Sequence, residues 1–112
     1  MDVYKIEIKK GEEIVGELHW VYSSIPGGTV EILSIQVKEK YWRQGYGTKM
    51  MEELIDTIKK RDVEVKTIYA ITRESNSDAR KFYEAVGFHK TAKLPDFYKD
   101  GEKDALIYTK KI

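Results

Sequence analysis

From Val3 to Lys9 the chain alternates, with Tyr4, Ile6 and Ile8 apolar between Lys5, Glu7 and Lys9. A period of two is that of a half-buried strand. Lys10-Gly11-Glu12 predicts a tight turn, Ile14 to Tyr22 a second strand, and Ser23-Ser24-Ile25-Pro26-Gly27-Gly28 a loop. Thr29 to Val37, with Ile32, Leu33, Ile35 and Val37 apolar, predicts a third strand. Three strands joined by short turn-like links make an antiparallel meander.

The period then changes. Met50, Met51, Leu54, Ile55 and Ile58 recur at helical spacing and predict an amphipathic helix from about Thr48 to Arg61. Lys59, Lys60 and Arg61 suit the negative end of its dipole. Val63 to Thr72 is β-branched and aromatic and reads as a buried strand. Ser75 to Ser77 offer candidate N-caps, with Asp78 in capping-box spacing from Ser75. Ala79, Phe82, Tyr83 and Val86 then form one apolar helical stripe, and Gly87 stands where a helix-ending glycine belongs. Phe88 to Lys93 and Ala105 to Lys111 predict short strands around a loop holding Pro95 and Asp100-Gly101. The order βββαβαββ predicts an α+β fold. Its sheet is mixed, mostly antiparallel and twisted, with two main helices and a βαβ crossover in the middle.

Composition narrows the function more by exclusion than by suggestion. At 112 residues the chain is expected to form one domain, residues 1–112. A net charge of +1 gives no average attraction to nucleic acid or a membrane. No apolar run approaches the roughly 20 residues that span a bilayer, and no secretory h-region follows Met1. Without cysteine there is no disulfide, thiolate metal site or cysteine nucleophile. His19 and His89 are too few and too scattered for a metal constellation, so no metal is expected. The default location is cytoplasmic.

Arg43-Gln44-Gly45-Tyr46-Gly47-Thr48 opens the first predicted helix. The first N–H groups of a helix lack intrahelical acceptors and lie at its positive end. Gly45 and Gly47 would let backbone approach an anion, and Arg43 adds a cation. Taken alone, these residues read equally as a pyrophosphate cradle or as a loop shaped by glycine. A P-loop is absent, and Met50 stands where a dinucleotide fingerprint needs its third glycine.

The cradle, the strand ending at Val37 before it, and Asn76, Ala79, Tyr83, Gly87 and Phe88 after it together resemble the GNAT superfamily of N-acetyltransferases. The family pattern is Arg/Gln-x-x-Gly-x-Gly/Ala opening a helix, followed downstream by Asn-x-x-Ala-x-x-x-Tyr-x-x-x-Gly-Phe. Trp42 departs from it at the first position. The segment Phe97 to Leu106 is also similar to tails of protein N-terminal acetyltransferases in the family. The resemblance implies acetyl-CoA as acyl donor and an amine, protein or small molecule, as acceptor. It implies that amides from Gln44 to Thr48, including those of Gly45, Tyr46 and Gly47, hold the pyrophosphate beside Arg43. The main chain of Ile35 and Val37 would pair with pantetheine, Asn76 would contact that arm, and Arg80 would approach the nucleotide end. Tyr83 would protonate the departing thiolate; periodicity alone, which puts it in one stripe with Phe82 and Val86, favours a core aromatic, and the match from Asn76 to Phe88 reverses that.

An amine must lose a proton to attack a thioester. Glu31, fourteen positions before Gly45, resembles the general-base glutamate of histone-type members; a solvated strand-edge carboxylate is the other reading. His19 is the second candidate. Trp20, Tyr22, Phe97 and Tyr98 are candidates for the acceptor side or for core packing. The chain begins about where the family's second strand is expected, without the strand and helices that wall the acceptor. An open groove or a homodimer would follow. Two rivals remain: a non-catalytic acyl-CoA-binding module, and a structural domain with no cofactor.

Charged residues make up 35% of the chain, whereas Asn76, Gln36 and Gln44 are its only side-chain amides. That composition is expected of a thermophile. Thermal melting followed by circular dichroism should give a midpoint above the roughly 45–65 °C of mesophile domains; a midpoint inside that range removes the reading.

Overall fold

The computed structural model describes residues 2–23, 28–62 and 64–112. The predicted loop at Ser24 to Gly27 and the predicted strand start at Val63 therefore lie outside the described residues. Among the described residues there are six strands: β1 (Tyr4–Lys10), β2 (Glu13–Tyr22), β3 (Thr29–Val37), β4 (Thr67–Arg73), β5 (His89–Leu94) and β6 (Ala105–Lys111). They form one sheet in the order β1-β2-β3-β4-β6-β5. All neighbours are antiparallel except β3 and β4, which are parallel and joined through helix α1 (Tyr46–Arg61). Helix α2 (Ser77–Ala85) leads from β4 to β5.

The register explains where the core lies. Trp20 pairs with Ile32, Val30 with Ile68, and Ile32 with Ala70, which in turn pairs with Tyr108. Residues paired across strands share a face. That face packs against Met50, Met51, Leu54 and Ile58 of α1, and against Tyr83 and Phe88 at α2. The alternate positions His19, Ser34, Glu31, Tyr69 and Thr109 lie on the opposite face, where none of the described helices sits.

β3 and β4 do not pair along their whole length. Their ladder runs from Thr29–Thr67 to Ile32–Ala70, while β3 continues to Val37 and β4 to Arg73. The cause is local. His19 pairs with Ser34 but Trp20 with Ile32, so Leu33 is an extra residue in β3. A bulge bends its strand and increases its twist. Beyond it β3 stays with β2, β4 stays with β6, and a fork opens between them.

Three local expectations change. The fourth strand begins at Thr67, because Val65 N donates back to Asp62 O in a turn; Val65 is buried without strand pairing. α1 begins at Tyr46, since Gly45 adopts φ 84° as its N-cap. The cap of α2 is Asn76, whose Oδ1 accepts from Ala79 N at 3.1 Å, so the capping box read from Ser75 is not used. The other end of α2 matches its reading: Gly87 has φ 93°, its N–H reaches Glu84 O, and Phe88 N reaches Tyr83 O. That is a Schellman closure, and it delivers Phe88 into the core.

Gly87→Ala should destabilise the fold by about 1–2 kcal/mol, the cost of a Cβ in the left-handed region. Gly28→Ala, where an added Cβ meets nothing within 4 Å, should be close to neutral. Urea denaturation of both variants checks the difference.

Candidate functional site

The fork exposes main-chain groups that a continuous sheet would pair. Lys38 N donates to Val15 O at 2.9 Å, so Lys38 faces β2. Because strand residues alternate in the side to which both main-chain polar groups point, Ile35 and Val37 face the fork. Val37 O is already taken there by the Trp42 indole Nε1 at 2.6 Å. Ile35 N–H and C=O and Val37 N–H therefore supply the edge onto which an extended amide-bearing chain could pair. Trp42, a mere departure in the sequence pattern, acts as a brace across the fork mouth.

At that mouth a single 3-10 turn (Glu39–Tyr41) leads to Arg43 at φ 64° and Gly45 at φ 84°. These left-handed steps turn the chain sharply into α1. Lys49 N is the first amide to donate within the helix, to Gly45 O, and no side chain caps the amides before it. The contrast with Asn76-capped α2 is direct: α1 leaves its N-terminal donors free for an anion. Gln44 Nε2 points back to Lys40 O at 3.4 Å. Gly47 has a reason that needs no ligand. A Cβ there would stand 2.8 Å from Phe82 Cε1, so the glycine lets α2 press against the first turn of α1.

The loop is held from a distance. Glu13 accepts from Tyr41 Oη at 2.6 Å and from Lys38 Nζ at 3.0 Å, with Lys40 Nζ at 3.8 Å. Tyr41 and Lys38 together pull the Glu13 carboxyl down to about 2. Tyr41 also meets the Tyr46 ring edge-on at 6.0 Å. No sequence signal links Glu13 to a loop more than twenty residues away.

Tyr83 lies on the helix-covered face, stacked on Tyr108 at 6.0 Å and flanked by Phe88 and Phe82. Burial pushes its hydroxyl up to about 12, so it keeps its proton at neutral pH. Every fully enclosed side-chain nitrogen or oxygen among the described residues has a partner. Arg80 is engaged: Nη1 donates to Glu74 O at 3.0 Å, and Nε to Tyr108 Oη at 3.4 Å. Tyr108 in turn donates to Glu84 at 2.8 Å. A cavity of about 260 Å³ lined by Ser77, Arg80, Lys81 and Glu84 lies on the outer side of α2.

On the open face Glu31 accepts from Tyr69 Oη at 3.2 Å. Burial, then the Glu31 charge, raises the Tyr69 hydroxyl above its ordinary value. One row nearer the fork, His19 Nδ1 is 3.2 Å from Ser34 Oγ, and its Nε2 is 4.0 Å from Glu17 Oε2. Trp20 and Tyr22 are on the covered face, packed with Tyr4, opposite the face that carries Glu31 and His19. Phe97 and Tyr98 stand in the β5–β6 loop. Arg73 organises that loop, donating to Asp100 O and Glu102 O while its guanidinium lies 3.9 Å from the Tyr98 ring. Glu31 and Tyr83 thus stand on opposite faces, and the fork connects them.

The family model described as Acetyltransferase (GNAT) family matches residues 3–88. The [ribosomal protein bS18]-alanine N-acetyltransferase of Escherichia coli is 37% identical over 78 residues, covering 68% of this chain and 51% of that protein. Its crystal structure superposes with a TM-score of 0.80, covering 98% of this chain and 69% of that one at 27% identity. An N-alpha-acetyltransferase of Saccharolobus solfataricus is 36% identical over 76 residues, covering 68% of this chain and 45% of that protein. The chain thus spans about half the length of the curated relatives it matches. Arabidopsis thaliana Naa50, solved with the bisubstrate analogue CoA-Ac-MVNAL, has a TM-score of 0.75 at 25% identity over 88% of this chain and 66% of that one.

The Tyr83 hydroxyl generates a pH prediction. Its folded value lies above the ordinary 10, so its contribution to stability is complete below pH 10 and is lost as pH rises through about 12. Urea unfolding should show the chain losing roughly 2–3 kcal/mol more than Tyr83→Phe across that window. Equal losses would mean that the hydroxyl is not held neutral.

Proposed function

Because this chain belongs to the acetyltransferase (GNAT) family, we propose that it transfers an acetyl group from acetyl-CoA to a primary amine within one domain. The observation that carries this reading is the fork between β3 and β4 with the uncapped N-terminus of α1 at its mouth. A pyrophosphate would rest on amides from Gln44 to Thr48, with Arg43 alongside. Pantetheine would run into the fork against Ile35 and Val37, passing the side-chain amide of Asn76. The thioester then lies between the two faces, with Tyr83 on one side and the acceptor entering from the other. The names of the relatives and the peptide in the Naa50 ligand support a protein or peptide N-terminal amine as the first acceptor to test.

Glu31 takes a proton from the incoming ammonium. The nitrogen attacks the carbonyl carbon, and the developing oxyanion is stabilised by main-chain N–H near Ile35. As the C–S bond breaks, its electron pair goes to sulfur, which Tyr83 protonates. A hydroxyl whose proton is held up to about 12 by burial remains a donor throughout the neutral range. No step calls for a metal or a covalent enzyme intermediate.

Calorimetry with CoA tests the cradle and steady-state kinetics with an N-terminal-alanine peptide test the chemistry. CoA should bind at micromolar concentration, and Gly45→Val should weaken it at least about tenfold, because a branched residue is strained at φ 84°. Tyr83→Phe and Glu31→Gln should each lower kcat about a hundredfold with CoA affinity kept. CoA binding without turnover on any amine supports a non-catalytic module instead, and no binding at millimolar CoA removes both.

A further inference from the structure

The reaction proposed above moves two protons off one nitrogen. A primary ammonium carries three hydrogens and the product amide carries one. Glu31 accounts for the first, taken before the N–C bond forms. The second must leave the cationic nitrogen of the tetrahedral adduct, when Glu31 is already protonated.

Resting on that reading, we propose that Ser34 and His19 form the relay for the second proton. The argument is one of rows across the open face. Glu31 pairs with Tyr69 inside the closed part of the β3–β4 ladder, one position before its last pair, Ile32–Ala70. The thioester, by contrast, lies beyond that pair, where the strands have parted. Ser34 is the next open-face residue along β3 after Glu31, because the bulge at Leu33 resets the alternation. It stands on the strand that borders the fork, and its cross-strand partner is His19. An amine that starts near Glu31 and bonds to a carbonyl in the fork therefore advances by one row, to Ser34.

The polar contacts complete a path. With Nδ1 unprotonated, His19 accepts from the Ser34 hydroxyl at 3.2 Å. On its other side Nε2 faces Glu17 at 4.0 Å, and about a third of the His19 side chain is exposed. As the adduct collapses, the nitrogen proton passes to Ser34 Oγ while the hydroxyl proton moves to His19 Nδ1. The C–S electron pair leaves with sulfur, which takes a proton from Tyr83. The imidazolium and Glu31 each release a proton to solvent and Tyr83 regains one, so one proton is released per turnover. Other charges around the ring come from each neighbouring strand: Lys5, its partner on β1, with Glu7 in the next row; Glu17 on β2; Glu31 on β3; and Tyr69 on β4. Of these, Lys5 and Glu7 are ion-paired to each other at 2.6 Å.

Kinetics with acetyl-CoA and the N-terminal-alanine peptide test the relay. Ser34→Ala and His19→Gln should each lower kcat about a hundredfold with the acetyl-CoA KM unchanged. The double variant should be no worse than either single one. The acid limb of the kcat profile should disappear in His19→Gln, and imidazole should partly restore turnover in His19→Gly. With two histidines in the chain, ring-nitrogen NMR adds a direct reading. In the complex with CoA and peptide, the His19 signals should move and those of His89 on β5 should not. Additive losses, an unchanged pH profile, or a silent His19 in a complex whose Glu31 and Leu33 amides shift would overturn the relay and leave the transferase reading standing. No turnover by the unaltered protein would remove the transferase reading, and the relay with it.

Discussion

A parallel pair of strands that stops pairing halfway leaves main-chain donors and acceptors without partners, and the rest of this structure is arranged around that vacancy. Backbone polar groups are obligatory hydrogen-bonding groups. Here the ladder between β3 and β4 ends at Ile32 and Ala70, because an extra residue at Leu33 bends β3 away while β4 remains paired to β6. The exposed edge is polar and bordered by two faces of different character. One is covered by helices and apolar; the other carries Glu31, His19, Ser34 and Tyr69. A ligand with amides along its length and a reactive end suits such an opening, and the edge supplies register at no cost in new side chains.

Several distant contacts keep the opening from collapsing. Phe82 of α2 lies against Gly47, locking the second helix onto the first turn of α1 beside the fork. Glu13, at the start of β2, grips Tyr41 and Lys38 and so fixes the loop that places the free amides of α1. Trp42 bridges that loop to the end of β3, and Arg73 gathers the β5–β6 loop at the end of β4. The cradle is positioned by side chains that never need to touch the ligand.

Legibility followed the range of each interaction. The Schellman end of α2 at Gly87, the helical stripes of both helices and the period-two strands depend on residues a few positions apart, and they were readable. Boundaries moved where a local choice was degenerate: three polar residues in a row, Ser75, Asn76 and Ser77, could each cap α2, and the Asn76 geometry prevailed. Trp20 and Tyr22 were ambiguous between core and acceptor side until the bulge at Leu33 settled which face each residue of β2 shares with β3. Asn76 and Arg80, read as cofactor contacts, already serve as a helix cap and as a tie to Tyr108. The same side chains hold the site in shape.

By itself the sequence determined the element order, the α+β class and the two motifs that carry the family pattern, because periodicity, capping and glycine chemistry act over one or two turns. It also brought Glu31 and Tyr83 forward as chemistry-bearing residues. Only the tertiary structure decided that these two stand on opposite faces joined by the fork, that Gly47 is a packing glycine, and that Glu13, Trp42 and Arg73 brace the mouth. The physical reason is register. One unpaired residue in β3 reassigns every later side chain to the other face; the apolar alternation shifts phase between Ile32 and Ile35, but only the pairing shows that Leu33 is the extra residue.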